Sequence, residues 1–243
     1  MASSFFRFAV TALLSATATL WAGRLVPTSY LSFSSSPFNG SSFRYFYLED
    51  FEDGFLNTPG VSVNAGVILN PSFQTDSVDA DDGAIDGSGT SGRSFFTNGL
   101  TNEFVFQFDA LTLGTLPTHA GLVWTDVGEG PILGTALVEF EAFDANGISL
   151  GVTAATLGDG LVTGETAEDR FFGFINAGGL SRIEIRTPFS TDWEVDHLQY
   201  GAAVPEPATF VVVGVILCGL FASSFRVNKA TNDQTIHAMP LEK

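Results

Sequence analysis

The sequence predicts an all-β protein: an antiparallel two-sheet sandwich of jelly-roll type, with an N-terminal signal helix and a C-terminal transmembrane helix. Three observations predict it. Short runs rich in aromatic and β-branched residues recur at 103–108, 137–143, 171–175, 183–186 and 193–200, and several alternate polar with apolar residues, as a strand with one wet and one buried face does. Between two of them Asp144-Ala145-Asn146-Gly147 supplies residues that tolerate positive φ, so 136–143 and 148–153 should form a hairpin. No amphipathic helical period stands between the two terminal apolar segments, and residues 44–203 suit one domain.

In chain order, Arg7 precedes the apolar stretch 8–14, and small residues follow at 16–18 and at Ala22-Gly23. This is the layout of a secretory signal peptide, 1–23, cleaved between Ala18 and Gly23. Residues 24–43 are Ser-rich with scattered Phe and Pro and read as a leader. The outer domain, 44–203, comes next, and then the segment 204–229. Within it 208–225 carries no charge. At about 1.5 Å per residue, its roughly 18 residues make a helix of about 27 Å, close to a thin hydrocarbon core. It is apolar on every face, unlike the core helix of a soluble domain. Arg226 and Lys229 place its far end, and the polar tail 230–243, in the cytoplasm, with everything before Pro205 outside. Pro205 and Pro207 push Val204 and Glu206 toward extended backbone. A protease or transpeptidase needs such an open strand.

Pro205-Glu206-Pro207, the apolar span and the basic Arg226 and Lys229 resemble the PEP-CTERM sorting signal of bacterial exosortase-dependent surface proteins. The resemblance covers about a tenth of the chain. It implies a membrane-embedded, cysteine-protease-like sorting enzyme as partner, cleavage near the proline motif, and delivery to the cell surface or extracellular matrix. The family's basic cluster is usually denser and nearly terminal, whereas here a polar tail follows Lys229.

The formal charge is −17, and Arg93, Arg170, Arg182 and Arg186 are the only basic residues between Tyr45 and Pro205. A phosphate backbone needs a basic surface, so nucleic acid is excluded as a partner. The single cysteine, Cys218, lies in the apolar span, and no disulfide staples the outer domain. Packing or metal ions must stabilise it.

Two acidic settings suggest structural Ca²⁺. In the first, Asp76, Asp79, Asp81, Asp82 and Asp86 crowd one small-residue loop, and Asp79, Asp81 and Asp82 offer the all-oxygen donors that Ca²⁺ prefers. The spacing is not that of an EF-hand, because a glycine at Gly83 would put Val78 at the first ligand position. A solvated acidic turn is the alternative. In the second, Glu52 or Asp53 at the opening of the domain would meet Asp196 near its close, since first and last strands of sandwiches are often neighbours. Here the alternative is an Asp196 that faces solvent or caps a turn.

His119, Glu165, Glu168-Asp169-Arg170 and Asp196-His197 are the candidates for acid–base chemistry. Their spacing forms no known catalytic motif, and no enzyme is expected. Sugar binding needs exposed aromatic rings, and Trp124 beside Asp126 leads the candidates, with a buried strand tryptophan as the alternative. The expected function is that of an exported, membrane-tethered surface protein, structural or adhesive within a surface or extracellular polysaccharide layer. The alternative is a carbohydrate-binding module, with a glycan-active enzyme behind it.

Overall fold

The computed structural model describes residues 22–72, 74–80, 92–127, 135–158 and 168–205. Their strands are β1 (Ala22–Arg24), β2 (Thr28–Ser29), β3 (Phe43–Glu49), β4 (Val61–Val63), β5 (Val67–Ile68), β6 (Phe95–Phe96), β7 (Glu103–Phe108), β8 (His119–Val127), β9 (Ala136–Asp144), β10 (Ser149–Leu157), β11 (Arg170–Asn176), β12 (Leu180–Arg186) and β13 (Trp193–Ala203). The one α-helix among the described residues, α1 (Ala110–Leu113), is a single turn capped by Asp109, whose carboxylate accepts from the amides of Leu111 and Thr112.

The strands form two antiparallel sheets. The first runs β1-β11-β8-β13-β6-β5, with β2 joined to β11 and β3 to β13, and the second runs β10-β9-β12-β7-β4. Alternate residues of each strand meet between them, which is why the period-2 runs of the sequence became strands. Phe104 and Phe106 of β7, Val138 and Phe140 of β9, Phe172 and Phe174 of β11, and Ile183 and Ile185 of β12 all enter one aromatic-rich core. Each such side chain contributes about 1.5–3 kcal/mol by leaving water. The expected hairpin is present: Asp144 Oδ1 accepts from the amides of Asn146 and Ile148, both at 2.8 Å, and Gly147 takes φ +77°.

Two parts of the chain differ from expectation. Residues around His119, outside the strand runs read from the sequence, form β8 at the middle of the first sheet, hydrogen-bonded to β11 and β13. It is buried on both faces, so it shows no polar alternation. The expected leader 24–43 is part of the fold. Ala22 and Gly23, placed at the end of the signal peptide, belong to β1, which pairs with β11. The segment that follows lies over the outer face of the first sheet, where Tyr30 and Phe38 are buried with Val78, Val123 and Phe171. Tyr30 stacks on Phe171 at 5.9 Å, and Phe38 meets the same ring edge-on at 5.2 Å. Gly121 makes this cover possible, because a Cβ there would stand 2.4 Å from both the Phe171 ring and the Phe172 carbonyl oxygen.

This compact unit ends at Ala203, and residues 204–243 form a second unit, of which only Val204 and Pro205 are described. The signal-peptide residues 1–21, the apolar span 208–225, and Glu206, Pro207, Arg226 and Lys229 lie outside the described residues. Among the described residues no helix is long and apolar enough to cross a membrane.

Candidate functional site

Strand β13 sends Trp193, Val195, Leu198 and Tyr200 into the core. Between Asp196 and Gln199 its register against β8 shifts, and His197 adopts φ +45°. The shift is a bulge, which sets Asp196 and His197 together on the outer side of the sheet. With Glu194 and Gln199 they form a polar row, yet none of the four is more than 4 % exposed. Alternation along this strand predicts a wet face, but two segments roof it.

The first roof is the segment before the acidic loop. Glu194 Oε2 accepts from the Asp76 amide at 3.0 Å and from the Ser94 hydroxyl. Asp196 Oδ2 accepts from the Ser77 hydroxyl at 3.1 Å and the Val78 amide at 3.0 Å, while Oδ1 accepts from the His197 amide at 2.6 Å. The second roof is the N-terminal segment. Ser36 donates to Gln199 Oε1 at 2.6 Å, and Gln199 Nε2 donates to the Tyr30 hydroxyl at 3.0 Å. Tyr30 Oη lies 3.0 Å from His197 Nδ1, and His197 Nε2 lies 2.9 Å from Asp79 Oδ2. Tyr30 Oη has two lone pairs and one hydrogen, so beside the bond from Gln199 it can donate to His197 Nδ1 or accept from Nδ1–H, and the state of the ring sets which.

The electrostatics follow from the burial. Desolvation pushes Asp196 up to about 8, against the pull of the charge on His197. Glu194 is likewise pushed up to about 8 by burial, despite the hydrogen bond from Ser94. For His197 burial works to lower the pKa, but the charges of Asp196 and Asp79 outweigh it and raise the imidazole above its ordinary value.

The ligand atoms of Asp79, Asp196 and His197 all lie within 4.8 Å of one another. One residue from each acidic setting meets here: Asp79 comes from the acidic loop and Asp196 from the closing strand. Asp81 and Asp82 lie outside the described residues. The first and last long strands are neighbours as expected, with Glu49 opposite Leu198, but Asp53 does not reach across. It caps its own turn, accepting from the Phe55 amide at 2.9 Å and from Asn57 Nδ2 at 2.5 Å. Glu52 accepts from the Arg93 amide, and its pKa is raised by burial first and then by the charges of Asp79 and Asp50. The residue that organises this loop is Glu49, which accepts from the amides of Phe51, Asn57 and Thr58.

Trp124 is not a sugar platform. It is 0 % exposed and lies edge-on to Phe172 at 4.9 Å and beside Trp193 at 5.9 Å, so neither face of its ring meets solvent. Its neighbour Asp126 sits opposite Glu194 in the β8–β13 ladder. His119 is a core histidine, edge-on to Phe38 and Phe43 at 5.2 Å each, with its pKa lowered by burial. Glu168 accepts from the Val127 amide at 2.8 Å, and Glu165 lies outside the described residues.

The outer face of the second sheet has a different character. Arg186 meets Glu141 at 2.8 Å, Glu139 at 3.2 Å, Glu184 at 3.3 Å and Glu103 at 3.8 Å. Arg182 binds Glu184 at 2.7 Å and lays its guanidinium 3.5 Å over the Phe143 ring. The ladder sets Glu184 directly opposite Glu141, an unfavourable like-charge pair that Arg186 offsets. Burial works to raise Glu141, but hydrogen bonds from Ser149 and Arg186 outweigh it and hold its pKa below the ordinary value. Arg186→Ala should cost about 1 kcal/mol at neutral pH, since these groups are partly solvated. Because the folded pKa of Glu141 is depressed, this contribution is complete above the ordinary carboxylate range and is lost as pH falls through the folded value. Urea unfolding of both proteins across that acidic range should show the difference between them closing.

No family model matches the chain, and no curated protein matches it. Two solved structures align with it. One is the C-terminal family 22 carbohydrate-binding module of Clostridium thermocellum Xyn10B, with a TM-score of 0.29 and 15 % identity, covering 69 % of this chain and 99 % of that one. The other is an arabinose-bound MgGH51 α-L-arabinofuranosidase, with a TM-score of 0.27 and 10 % identity over 66 % of this chain and 27 % of that one. Likenesses at this level carry no argument about ligand or chemistry.

Proposed function

We propose that the chain is a non-catalytic, exported sandwich of jelly-roll type that binds neutral glycan within a cell-surface or extracellular polysaccharide layer. The jelly-roll reading rests on the strand orders β3-β13-β8-β11 and β7-β12-β9-β10, which follow the two-Greek-key pattern. The observation that carries the function is the contrast between the outer faces. On the first sheet the polar groups of β13 are consumed in fastening two roofing segments. On the second, Gln107 of β7, Arg182, Glu184 and Arg186 of β12, and Glu139 and Glu141 of β9 remain at least partly open to solvent. A flat row of donors and acceptors suits sugar hydroxyls, and the charge of −17 disfavours acidic polysaccharides.

Routing is assigned to the C-terminal segment. Pro205, Glu206 and Pro207, followed by the apolar span and by Arg226 and Lys229, serve as a PEP-CTERM signal that holds the chain in the membrane for an exosortase-like enzyme. A purely structural coat component is the second reading, favoured by the burial of Trp124 and Trp193, the described tryptophans. Retention on immobilised neutral polysaccharides, with no turnover of chromogenic glycans, is the expected result. Turnover would refute the non-catalytic assignment, and no retention would leave the structural reading.

A further inference from the structure

We infer that Asp79, Asp196 and His197 hold one divalent cation of the zinc type, which fastens the segment 74–80 to the bulge of β13. The inference stands apart from the glycan reading and differs from the all-oxygen calcium sites that the sequence suggests. It rests on the donor set, the orientation of the ring and the local excess of negative charge.

The three ligand atoms already lie within 4.8 Å of one another. Around a tetrahedral ion with bonds of roughly 2.0–2.2 Å, neighbouring ligand atoms stand about 3.3 Å apart. His197 Nε2 and Asp79 Oδ2 are at 2.9 Å, so that pair would open by a few tenths of an ångström around the ion, with the Asp196 ligand atom within 4.8 Å of both. Asp79 can provide it, because its side chain is 40 % exposed. Asp196 accepts three hydrogen bonds, and a carboxylate has about four lone-pair positions, so one acceptor position stays available.

The imidazole is held as a metal-bound histidine is held, by a partner on its other nitrogen. That partner is Tyr30, fixed in turn by Gln199 and Ser36. Binding requires the neutral tautomer in which the ring hydrogen sits on Nδ1, directed at the Tyr30 oxygen, and Nε2 presents its lone pair.

Charge favours a cation at this point. Besides Asp79, the charge of Asp50 reaches His197 and that of Glu52 lies within range of Asp79. The sequence has no lysine between 22 and 205. The nearby Arg93 gives its amide to Glu52 and its guanidinium to Asn70 at 2.5 Å. Buried carboxylates in such a setting call for a proton, a cationic partner or a metal. One imidazole with two carboxylates fits zinc-type ions, whereas Ca²⁺ takes six to eight oxygens. The bound ion would close a loop of more than a hundred residues, since His197 and Asp79 are 118 positions apart.

The test uses full-length protein stripped with a chelator and titrated with ZnCl₂ or CaCl₂, read by calorimetry and by melting temperature. Wild type should bind one Zn²⁺ at this site and melt higher with it. Asp79→Asn is isosteric at a partly exposed position, so it should fold and lose without metal only its pair with His197, yet bind Zn²⁺ at least about tenfold more weakly. Four results would overturn the inference: no Zn²⁺ binding by wild type, equal Zn²⁺ affinity in Asp79→Asn, equal Zn²⁺ affinity in His197→Gln, or a rise in melting temperature with Ca²⁺ that matches the rise with Zn²⁺.

Discussion

Trp124→Ala should lower the free energy of unfolding by about 3–5 kcal/mol, the range for emptying a large aromatic site in a packed core. The site cannot easily collapse. Trp124 is wholly buried, and its neighbours Phe172 and Trp193 are held in β11 and β13, the two strands that flank β8. Trp124→Phe should cost much less. The indole Nε1–H has no hydrogen-bond partner among the described residues, and removing an unsatisfied buried donor recovers about 1–3 kcal/mol that offsets the lost contacts. Chemical denaturation of the two variants checks both values. A Trp124→Ala protein as stable as wild type would mean that the ring is on the surface after all.

Asp196→Ala should cost about 1–3 kcal/mol for each buried donor that it leaves unsatisfied. It strands the Val78 and His197 amides and the Ser77 hydroxyl, and leaves His197 without its adjacent carboxylate. The burial that pushes Asp196 up to about 8 opposes this loss, but it is a cost the wild-type fold already bears and its three donors already repay in part. The damage should be local before it is global. Segment 74–80 should become the first site of proteolytic cleavage in the variant, at temperatures where the wild type resists. Asp53→Ala removes a carboxylate that serves only its own turn, so it should leave that segment's resistance unchanged.

Much of the sandwich is legible in the sequence because its signals are local. The Asp144–Gly147 turn declares its hairpin through turn chemistry, and β7, β9 and β12 alternate because one face of the second sheet meets water. β8 does not alternate, since the core covers one of its faces and the Tyr30–Phe38 segment the other. That segment was hidden for a related reason. An irregular cover has no period, so serines around a few buried aromatic residues look like a leader.

The candidate site was legible in its parts but not in its assembly. Asp79 and Asp196 stand out as carboxylates in a loop and in a closing strand. Their meeting depends on the β13 bulge and the left-handed backbone at His197, which no spacing announces. Alternation marks Glu194 and Asp196 on one face of the strand, but it would place Gln199 on the other without the bulge, and periodicity cannot tell water from a polar roof. Trp124 shows the converse, since an aromatic residue beside an acid looks the same in sequence whether its ring is exposed or enclosed.

The central claim is that the second sheet carries the ligand while the first is closed by its own chain. Hydrogen exchange of the full chain, with and without a retained neutral polysaccharide, tests it most directly. The account predicts added protection in β7, β9 and β12, with 30–38 and 75–80 unchanged. Protection confined to 30–38 or 75–80, with β7, β9 and β12 unaffected, would contradict it.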